Sequence, residues 1–364
     1  MAKILVAINQ ARVLYDFKRE LVGALLARGD EVLLSFEEDF RADYFRQTSA
    51  RIVSTPIDPR GMNPARDLKL SRFYKSLLRR EKPDAVLTFT IKPNVYCGSL
   101  CAAMGIPYYA TISGLGAAMN GSAPLRWLST ALYRRGLRGA RRVFCQNASI
   151  AERVVAERIA RQEQIARVAG SGVDLSRFTA LPYPTESEGP TLLFIGRLMR
   201  DKGVVELVEC ARQVRARRPD VRFQMIGASE RGCAEDVMVH EASDAGIVDY
   251  QGYQMDVKPF LAASSAVVLP SYHEGLSNVL LEAAASARPI LTTNVPGCAE
   301  TFKEGVTGFG FEPRSAESLV GAVDRFLALG RDDRAAMGVR GREHVAANFS
   351  RDDVVRAYLD ALDV

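Results

Sequence analysis

The sequence predicts an α/β protein of two domains, each a doubly wound parallel sheet with helices on both faces. Short apolar runs alternate with amphipathic helical segments along the chain, which is typical of parallel sheets. The alternation stops at residues 181–190, which contain three prolines, and then restarts. The chain has 364 residues, more than one ordinary hydrophobic core serves, so we expect two domains.

The first half begins with the apolar strand Lys3–Ile8. Its first helix, Phe17–Arg28, has leucines at helical spacing and stops at Gly29. A second amphipathic helix, Leu68–Arg80, is closed by Lys82-Pro83. The other predicted strands of this half are Glu31–Ser35, Ala85–Phe89, Pro107–Ile112 and Arg142–Cys145, and its other predicted helices are Pro93–Met104 and Leu125–Leu137.

The second half repeats the alternation after the proline-rich segment. Its predicted strands are Thr191–Ile195, Val221–Ile226, Ile247–Tyr250, Ala266–Leu269 and Pro289–Thr292, and its predicted helices are Val204–Arg217, Val257–Ala263, Leu276–Ser286 and Ala316–Leu329. We assign residues 1–180 and 181–347 to the two domains and residues 348–364 to a helix that packs back toward the first. Ligands of such sheets bind beyond the carboxyl ends of the strands, so the cleft between two facing domains is the expected site.

Composition restricts the class of protein. Hydrophobic residues make up 48% and charged residues 25%, as in ordinary globular proteins. The amino terminus does not resemble a secretory signal, and no apolar run approaches the roughly 20 residues that cross a bilayer, so we expect a cytoplasmic protein. The six cysteines are scattered without a C-x-x-C pair and far from the histidines, which favours buried thiols over a metal site or disulfides.

Charge divides unevenly between the halves. Residues 1–184 contain 28 basic and 16 acidic residues, a net +12, whereas the remaining residues contain 20 and 27, a net −7. A basic half joined to an acidic half suggests that the first half meets an anionic partner. Nucleic acid, a phosphorylated substrate and an anionic lipid all fit this observation.

The first chemical motif follows the strand Thr191–Ile195. Gly196 and Arg197 come directly after it, and Lys202 and Gly203 precede the next helix. Glycine lets a backbone approach a ligand, a helix start offers N–H groups to an anion, and the two cations can neutralise a diphosphate. The alternative is an ordinary βα turn with two solvated cations.

The second motif runs from Glu274 to Glu282. Glu274 ends a buried strand and Gly275 allows a tight turn into a helix, whose first N–H groups suit phosphate oxygens. Glu282 lies about two turns further on the same side, where its carboxylate can accept hydrogen bonds from two ribose hydroxyls. The alternative is a surface helix with two solvated glutamates. The backbone candidates for phosphate binding are Gly275, Leu276, Ser277, Asn278 and Val279.

Together these residues resemble the donor signature of glycosyltransferase family 4, a retaining family with the two-domain GT-B fold. The motif Gly196-Arg197 through Lys202-Gly203 looks like its phosphate clamp, and Glu274 through Glu282 matches its pair of glutamates separated by seven residues. Further matches follow in the family's order: Ser171-Gly172-Val173-Asp174, Gly252-Tyr253, Asn294-Val295-Pro296-Gly297 and Gly308-Phe309. The resemblance spans nearly the whole chain.

The first half is similar to a narrower set within that family. The segments Asp16–Leu21, Thr88–Tyr96 and Thr111–Gly116 resemble bacterial enzymes that extend undecaprenyl diphosphate-linked sugars, including the N-acetylgalactosaminyltransferase of N-linked protein glycosylation. This resemblance implies a lipid diphosphate-linked saccharide as acceptor. The acceptor-side candidates are Lys92, Asn94, Ser113 and Gly114.

The resemblance also implies roles for the donor residues. Arg197 and Lys202 would stabilise charge on the leaving diphosphate, Glu274 would hold the donor sugar, and Glu282 the ribose of a UDP-sugar, with a UDP-N-acetylhexosamine expected. Gly196, Gly252 and Tyr253 complete the expected donor site. Many relatives place a histidine in the acceptor domain, but no histidine precedes His240 here, so no such role is carried over. There is no Asp-x-Asp run, and we expect no metal cofactor.

Two basic amphipathic segments are candidates for contact with a membrane surface. Residues 66–82 and 126–142 place lysines and arginines around leucines and aromatic residues, a pattern that suits an anionic lipid surface. The alternative is that each segment packs its apolar stripe on the sheet and leaves its cations in water. We expect peripheral association with the inner face of the cell membrane.

Three other functions compete with this interpretation. A nucleotide-sugar enzyme of the same fold acting on a soluble acceptor shares every donor motif. A nucleic-acid-binding module would use the basic half but leaves the donor signature unexplained, so no nucleic-acid partner is expected. A dinucleotide oxidoreductase is disfavoured because Asn9-Gln10-Ala11 follows the first strand where glycines would be needed.

Overall fold

The computed structural model describes residues 1–58, 61, 63–115, 122–187 and 189–363. The chain divides into two compact units, Met1–Ser171 with Asp353–Val364, and Gly172–Asp352. Each unit is built around a parallel sheet with helices on its faces, so the predicted fold class is confirmed. The sequence predicted domain boundaries after residues 180 and 347, whereas the structure divides the chain after residues 171 and 352.

The sheet of the first unit has seven parallel strands among the described residues, in the order β3-β2-β1-β4-β5-β6-β7. They are β1 Lys3–Gln10, β2 Glu31–Glu37, β3 Arg51–Ser54, β4 Ala85–Phe89, β5 Tyr108–Ile112, β6 Arg142–Cys145 and β7 Ile165–Arg167. Leu5 of β1 and Val86 of β4 join one core cluster, whereas Val6 and Leu87 join the cluster on the other face. Both faces are covered, which explains why these strands are continuously apolar.

The helices of the first unit are α1 Ala11–Ala27, α2 Ala42–Arg46, α3 Pro64–Glu81, α4 Gly98–Met104, α5 Ala123–Leu137 and α6 Ala148–Ala156. The C-terminal helix α13, Arg351–Leu362, packs on the same core through Tyr358, whose ring centroid is 4.3 Å from that of Phe144. Asn63 caps α3 by accepting the backbone N–H groups of Ala65 and Arg66, and Pro64 occupies the first helical position.

The sequence located most of these elements but misjudged some of their ends. Helix α1 begins at Ala11 rather than Phe17, because Leu14 is already buried one turn earlier. The predicted helix Pro93–Met104 is divided into a π-helical turn, Pro93–Cys97, and α4. Short β3 and β7 were missed, since edge strands of three or four residues carry little periodic signal.

The sheet of the second unit has six parallel strands among the residues described, in the order β10-β9-β8-β11-β12-β13. They are β8 Thr191–Ile195, β9 Arg222–Ile226, β10 Asp249–Tyr250, β11 Ala266–Leu269, β12 Ile290–Thr293 and β13 Gly308–Phe311. Its helices are α7 Val204–Arg217, α8 Ala234–Asp244, α9 Lys258–Ala263, α10 Asn278–Ala285, α11 Ala316–Ala328 and α12 Arg331–Asn348. Because β8 and β11 are neighbours, the loops that follow them meet at one edge of the sheet.

The proline-rich segment that separates the two halves in sequence is anchored to the second unit. Arg288 is fully buried and donates hydrogen bonds of 2.7 Å to the carbonyl oxygens of Leu261 and Pro182, with further bonds to Leu181 and Ala262. Burial lowers the pKa of its guanidinium to about 10. One buried arginine therefore ties this segment to the end of α9.

Candidate active site

Three glycines lie side by side at the carboxyl edge of β8, β9 and β10. The N–H of Gly196 donates to Ile226 O at 3.0 Å, and that of Gly227 to Gly252 O at 2.9 Å. A Cβ atom on Gly227 would collide with the carbonyl oxygen of Gly196. Sequence reasoning named Gly196 and Gly252 but missed Gly227. The signal was present, because an Ile-Gly pair ends β9 as another ends β8.

The loop after β8 packs against the segment after β11. Gly203 has a φ of +70°, and a Cβ atom there would collide with Pro270 O. The backbone N–H of Tyr272 donates to Asp201 O at 2.9 Å, which fixes the two segments together. This contact positions the 3₁₀ turn Arg200–Lys202 beside Glu274.

Lys202 and Glu274, separated by 71 residues in sequence, form an ion pair at this edge. Lys202 Nζ donates to Glu274 Oε1, and both side chains are half-buried. The hydroxyl of Ser271 donates to the same Oε1 at 2.8 Å. Arg197 is exposed on the same loop as Lys202. The structure thus brings two of the three predicted catalytic residues, Lys202 and Glu274, into contact. The third, Arg197, is exposed to solvent.

Helix α10 begins at Asn278, two residues later than predicted. The N–H of Ser277 donates to Gly297 O at 2.9 Å, and the first helical bond runs from Leu281 N to Ser277 O at 3.2 Å. The N–H of Ser277 is therefore used within the protein. The first-turn N–H groups of a helix have no acceptor inside the helix, and Asn278 and Val279 occupy that turn.

The other predicted donor residues lie around this helix start. Glu282 is half-buried one turn beyond Asn278 and on the same face. Leu276 is buried, so its contribution to a ligand would come from its backbone. Tyr253 is exposed beyond β10, directly after Gly252 with its φ of +66°.

A hydrogen bond between helix α7 and the segment after β11 was not foreseen from the sequence. The hydroxyl of Tyr272 donates to Glu206 Oε1 at 2.7 Å, and the Arg314 guanidinium lies 4.8 Å from the centre of the Tyr272 ring. Burial, and then the bond to Glu206, raise the pKa of Tyr272 to about 12, so its hydroxyl stays protonated at neutral pH. Tyr272 and Glu206 thus brace the loops that carry Glu274 and Lys202.

The predicted acceptor residues belong to the first unit. Lys92 Nζ donates to Asp67 Oδ1 at 2.7 Å, and the Tyr96 hydroxyl donates to Asp67 Oδ2 at 2.9 Å. Burial and the bond to this carboxylate raise the pKa of Tyr96. Asn94 is only 1% exposed and its amide donates to Thr111 O at 2.8 Å, so its side chain holds the π-helical turn against β5.

Two further acceptor candidates follow β5. Ser113 is exposed and Gly114 half-buried at the carboxyl end of that strand. Gly116, the last residue of the segment Thr111–Gly116, lies outside the described residues.

The two basic helices differ. In α3 the apolar residues Leu70, Tyr74, Leu77 and Leu78 are buried against the sheet, so its cations are a solvated face. In α5, by contrast, Trp127 is 73% exposed and Leu128 48% exposed. Across the residues described here, no helix is long and apolar enough to cross a bilayer. No group of three or more potential metal ligands among His, Cys, Asp and Glu occurs in the described part of the chain.

Comparison with known proteins identifies the type of protein to which both units belong. The family described as "Glycosyl transferases group 1" matches residues 182–344, and the family described as "Glycosyl transferase 4-like domain" matches residues 17–171. The first of these matches lies within the second unit and the other within the first unit.

Three relatives illustrate the similarity. The chain is 28% identical to the lipopolysaccharide core biosynthesis glycosyltransferase LpsE of Rhizobium meliloti over 82% of each chain. It is 24% identical to N,N'-diacetylbacillosaminyl-diphospho-undecaprenol alpha-1,3-N-acetylgalactosaminyltransferase of Campylobacter jejuni, over 96% of this chain and 95% of that one. The structure of Anabaena Alr3699/HepE, solved with UDP and glucose, superposes with a TM-score of 0.82 at 16% identity over the full length of both chains.

Two parallel-sheet units, each matched by a glycosyltransferase family model, define a transferase of the GT-B fold. The chain is a glycosyltransferase whose two units each match a glycosyltransferase family model, and it is a hexosyltransferase.

Proposed function

We propose that the enzyme transfers a sugar, an N-acetylhexosamine, from a UDP-sugar to an undecaprenyl diphosphate-linked saccharide with retention of configuration. The reaction would serve the assembly of a bacterial surface polysaccharide or glycoprotein glycan. The observation that carries the donor half is the Lys202–Glu274 pair beside the glycine edge. The name of the Campylobacter relative supports the acceptor half, and the name of the Rhizobium relative supports a role in surface polysaccharide assembly.

In this proposal the pair exchanges partners when the donor binds. Lys202 and Arg197 pair with the diphosphate, and Glu274 accepts hydrogen bonds from sugar hydroxyls while Ser271 keeps it in place. The bond from the anomeric carbon to the diphosphate oxygen breaks, and a bond to the acceptor oxygen forms on the same face. The acceptor proton passes to the leaving diphosphate, whose growing charge the two cations stabilise.

The rest of the donor site would bind the nucleotide. Glu282 accepts the two ribose hydroxyls, and the N–H groups of Asn278 and Val279 donate to phosphate at the positive end of α10. Because Gly196, Gly252 and Gly275 have no Cβ atom, the backbone at these positions can approach the ligand closely. Tyr253 is exposed where a flat base could rest on its ring.

On the acceptor side, we propose that Lys92 meets the lipid-linked diphosphate. Asp67 and Tyr96 hold its ammonium group in one place, and Ser113 and Gly114 offer polar atoms from the neighbouring strand end. Asn94 acts indirectly, because its side chain is buried in the turn. The enzyme would work as a peripheral protein on the inner face of the membrane, with α5 toward the lipid.

Transfer of label tests the proposal. The purified enzyme is incubated with radiolabelled UDP-N-acetylhexosamines and the lipid-linked saccharide fraction of cells that lack it. Label should move into the organic phase, and acid release should give a saccharide longer by one sugar. The Glu274→Gln variant, which keeps the shape of the side chain, serves as the inactive control. Label that accumulates on a water-soluble saccharide instead would favour the same-fold enzyme with a soluble acceptor.

A further inference from the structure

We propose that an aromatic cluster on the first unit, formed by Tyr15, Phe40 and Tyr44 with Arg41 stacked on it, binds the saccharide of the acceptor. This inference rests on the proposed function. The cluster lies where β1 and β2 end, at Gln10 and Glu37. It therefore occupies the carboxyl edge of the sheet, the edge at which open α/β sheets bind ligands.

The cluster is held rigidly. The ring centroids of Tyr15 and Tyr44 are 4.8 Å apart with the planes nearly perpendicular. The Arg41 guanidinium lies 4.4 Å from the centre of Tyr15 and 5.3 Å from that of Phe40. The Asp39 carboxylate accepts the backbone N–H groups of Arg12 and Arg41, both at 2.9 Å, and so fixes the loop. Little ordering would be required when a ligand binds.

The cluster leaves large aromatic surfaces in water. Phe40 is 62% exposed and Tyr44 is 42% exposed, whereas the adjacent Phe45 is fully buried and anchors α2 to the core. Phe40 and Tyr44 thus leave ring surface in water, although one edge of the Tyr44–Phe45 pair is packed, with the ring centroids 5.2 Å apart. Contiguous exposed aromatic side chains of this kind mark ligand or partner surfaces rather than isolated surface residues.

Charge selects a neutral ligand. Residues 37–46 carry four carboxylates, Glu37, Glu38, Asp39 and Asp43, against two arginines, and a third arginine, Arg19, lies 4.9 Å from the centre of the Tyr15 ring. The charge around the cluster is therefore nearly balanced, which offers little attraction to an anionic lipid surface. The negative faces of aromatic rings attract the polarised C–H groups of a sugar ring, while nearby carboxylates accept its hydroxyls.

The cluster is continuous with the proposed position of the acceptor diphosphate. The strand order β2-β1-β4 places the loop of Phe40 two strands from the loop of Lys92. Two strand spacings amount to about 10 Å, which two sugar residues span. A saccharide attached to a diphosphate at Lys92 would therefore reach the aromatic cluster.

Steady-state kinetics test this placement. The acceptor is the lipid-linked saccharide fraction from cells lacking the enzyme, dispersed in detergent. Phe40→Ala and Tyr44→Ala should each raise the KM for this acceptor about fivefold to tenfold, with kcat within twofold and UDP affinity unchanged, since only acceptor stacking is lost. Tyr44→Phe should retain the wild-type KM. Met104→Ala, an exposed apolar residue at the end of α4 in the same unit, is the matched control.

The outcomes separate the two proposals. An unchanged acceptor KM in both alanine variants overturns the role of the cluster while the wild-type transfer still stands. Normal kinetics in detergent combined with lost binding to phosphatidylglycerol vesicles would identify the cluster as a lipid contact and also overturn it. If the wild type transfers no sugar to this fraction while still binding UDP, the proposed acceptor fails and the cluster's role fails with it.

Discussion

At the scale of single residues, Lys202 and Glu274 neutralise each other at the edge of the second sheet. The Glu274 carboxylate accepts from Lys202 and also from the hydroxyl of Ser271, which fixes its position. Two half-buried charges would be costly to leave unpaired, and the ion pair removes that cost. In the proposed mechanism a donor would replace this ion pair by two sets of contacts.

Removing the ammonium of Lys202 should act on turnover. Because it faces charge that grows on the leaving diphosphate, Lys202→Ala should lower kcat by about 10²-fold or more, as the loss of a transition-state donor does. Steady-state kinetics with the labelled donor measure the effect. Lys258→Ala, another lysine of the same unit, is the control. A variant with near-normal kcat and only a raised KM would assign Lys202 to ground-state binding.

Glu282 should act on nucleotide affinity instead. Its proposed pair of hydrogen bonds to ribose predicts that Glu282→Ala weakens UDP binding by about 1.5–3 kcal/mol, the usual contribution of hydrogen bonds to a charged group. Isothermal calorimetry with UDP measures this directly. Unchanged affinity would contradict the role, and Glu317→Ala on the surface of α11 controls for the change in charge.

At the scale of elements, the two basic helices separate once their faces are visible. Both carry arginines among leucines, and each leaves one leucine in water, Leu68 on α3 and Leu128 on α5. Only α5 adds an exposed tryptophan, whereas α3 buries most of its apolar stripe. Residues 85–151 also contain no aspartate or glutamate. Helix α5 is therefore the better candidate for an anionic lipid surface.

The single tryptophan makes this difference measurable. If Trp127 enters the interface, its emission should shift to the blue with phosphatidylglycerol vesicles and revert as salt rises, because screening weakens the attraction. In sedimentation, Trp127→Ser should bind these vesicles more weakly, whereas Leu68→Ser on α3 should bind as the wild type does. Unshifted emission at low salt would favour the soluble acceptor.

The buried arginine behind the proline-rich segment supports a prediction about stability. Arg288→Met removes the donor for several buried carbonyl groups and should lower the free energy of unfolding by about 2–4 kcal/mol. Denaturant unfolding monitored by circular dichroism measures it. The exposed Arg212→Met on α7 should change stability by less than about 0.5 kcal/mol. Equal stability of both variants would show that these carbonyl groups find other donors.

At the scale of the whole molecule, the two units divide the chemistry. Proposed donor residues lie in Gly172–Asp352, and proposed acceptor residues in the unit formed by the rest of the chain. The division matches the two family domains. Substitutions in one unit should therefore leave the affinity for the other substrate intact, as the controls above assume.

We expect sugar transfer by the complete enzyme to proceed without a metal ion. In the proposed mechanism Arg197, Lys202 and the start of α10 supply positive charge to the diphosphate, so transfer should continue in the presence of EDTA at the wild-type rate within about twofold. The radiolabel assay measures it. Activity lost in EDTA and restored by Mg²⁺ or Mn²⁺ would contradict the prediction.

The sequence by itself determined the two-domain α/β fold and most strand positions. Parallel strands buried on both faces read as continuous apolar runs, and glycines and prolines between them are local signals. It also indicated Lys202, Glu274 and Glu282 through their spacing. Only the tertiary structure decided that Lys202 contacts Glu274, that Gly297 takes the N–H of Ser277, and that Tyr272 braces Glu206. These contacts join loops far apart in sequence, and the strand order that brings such loops together is set by packing of the whole sheet rather than by local residue pattern.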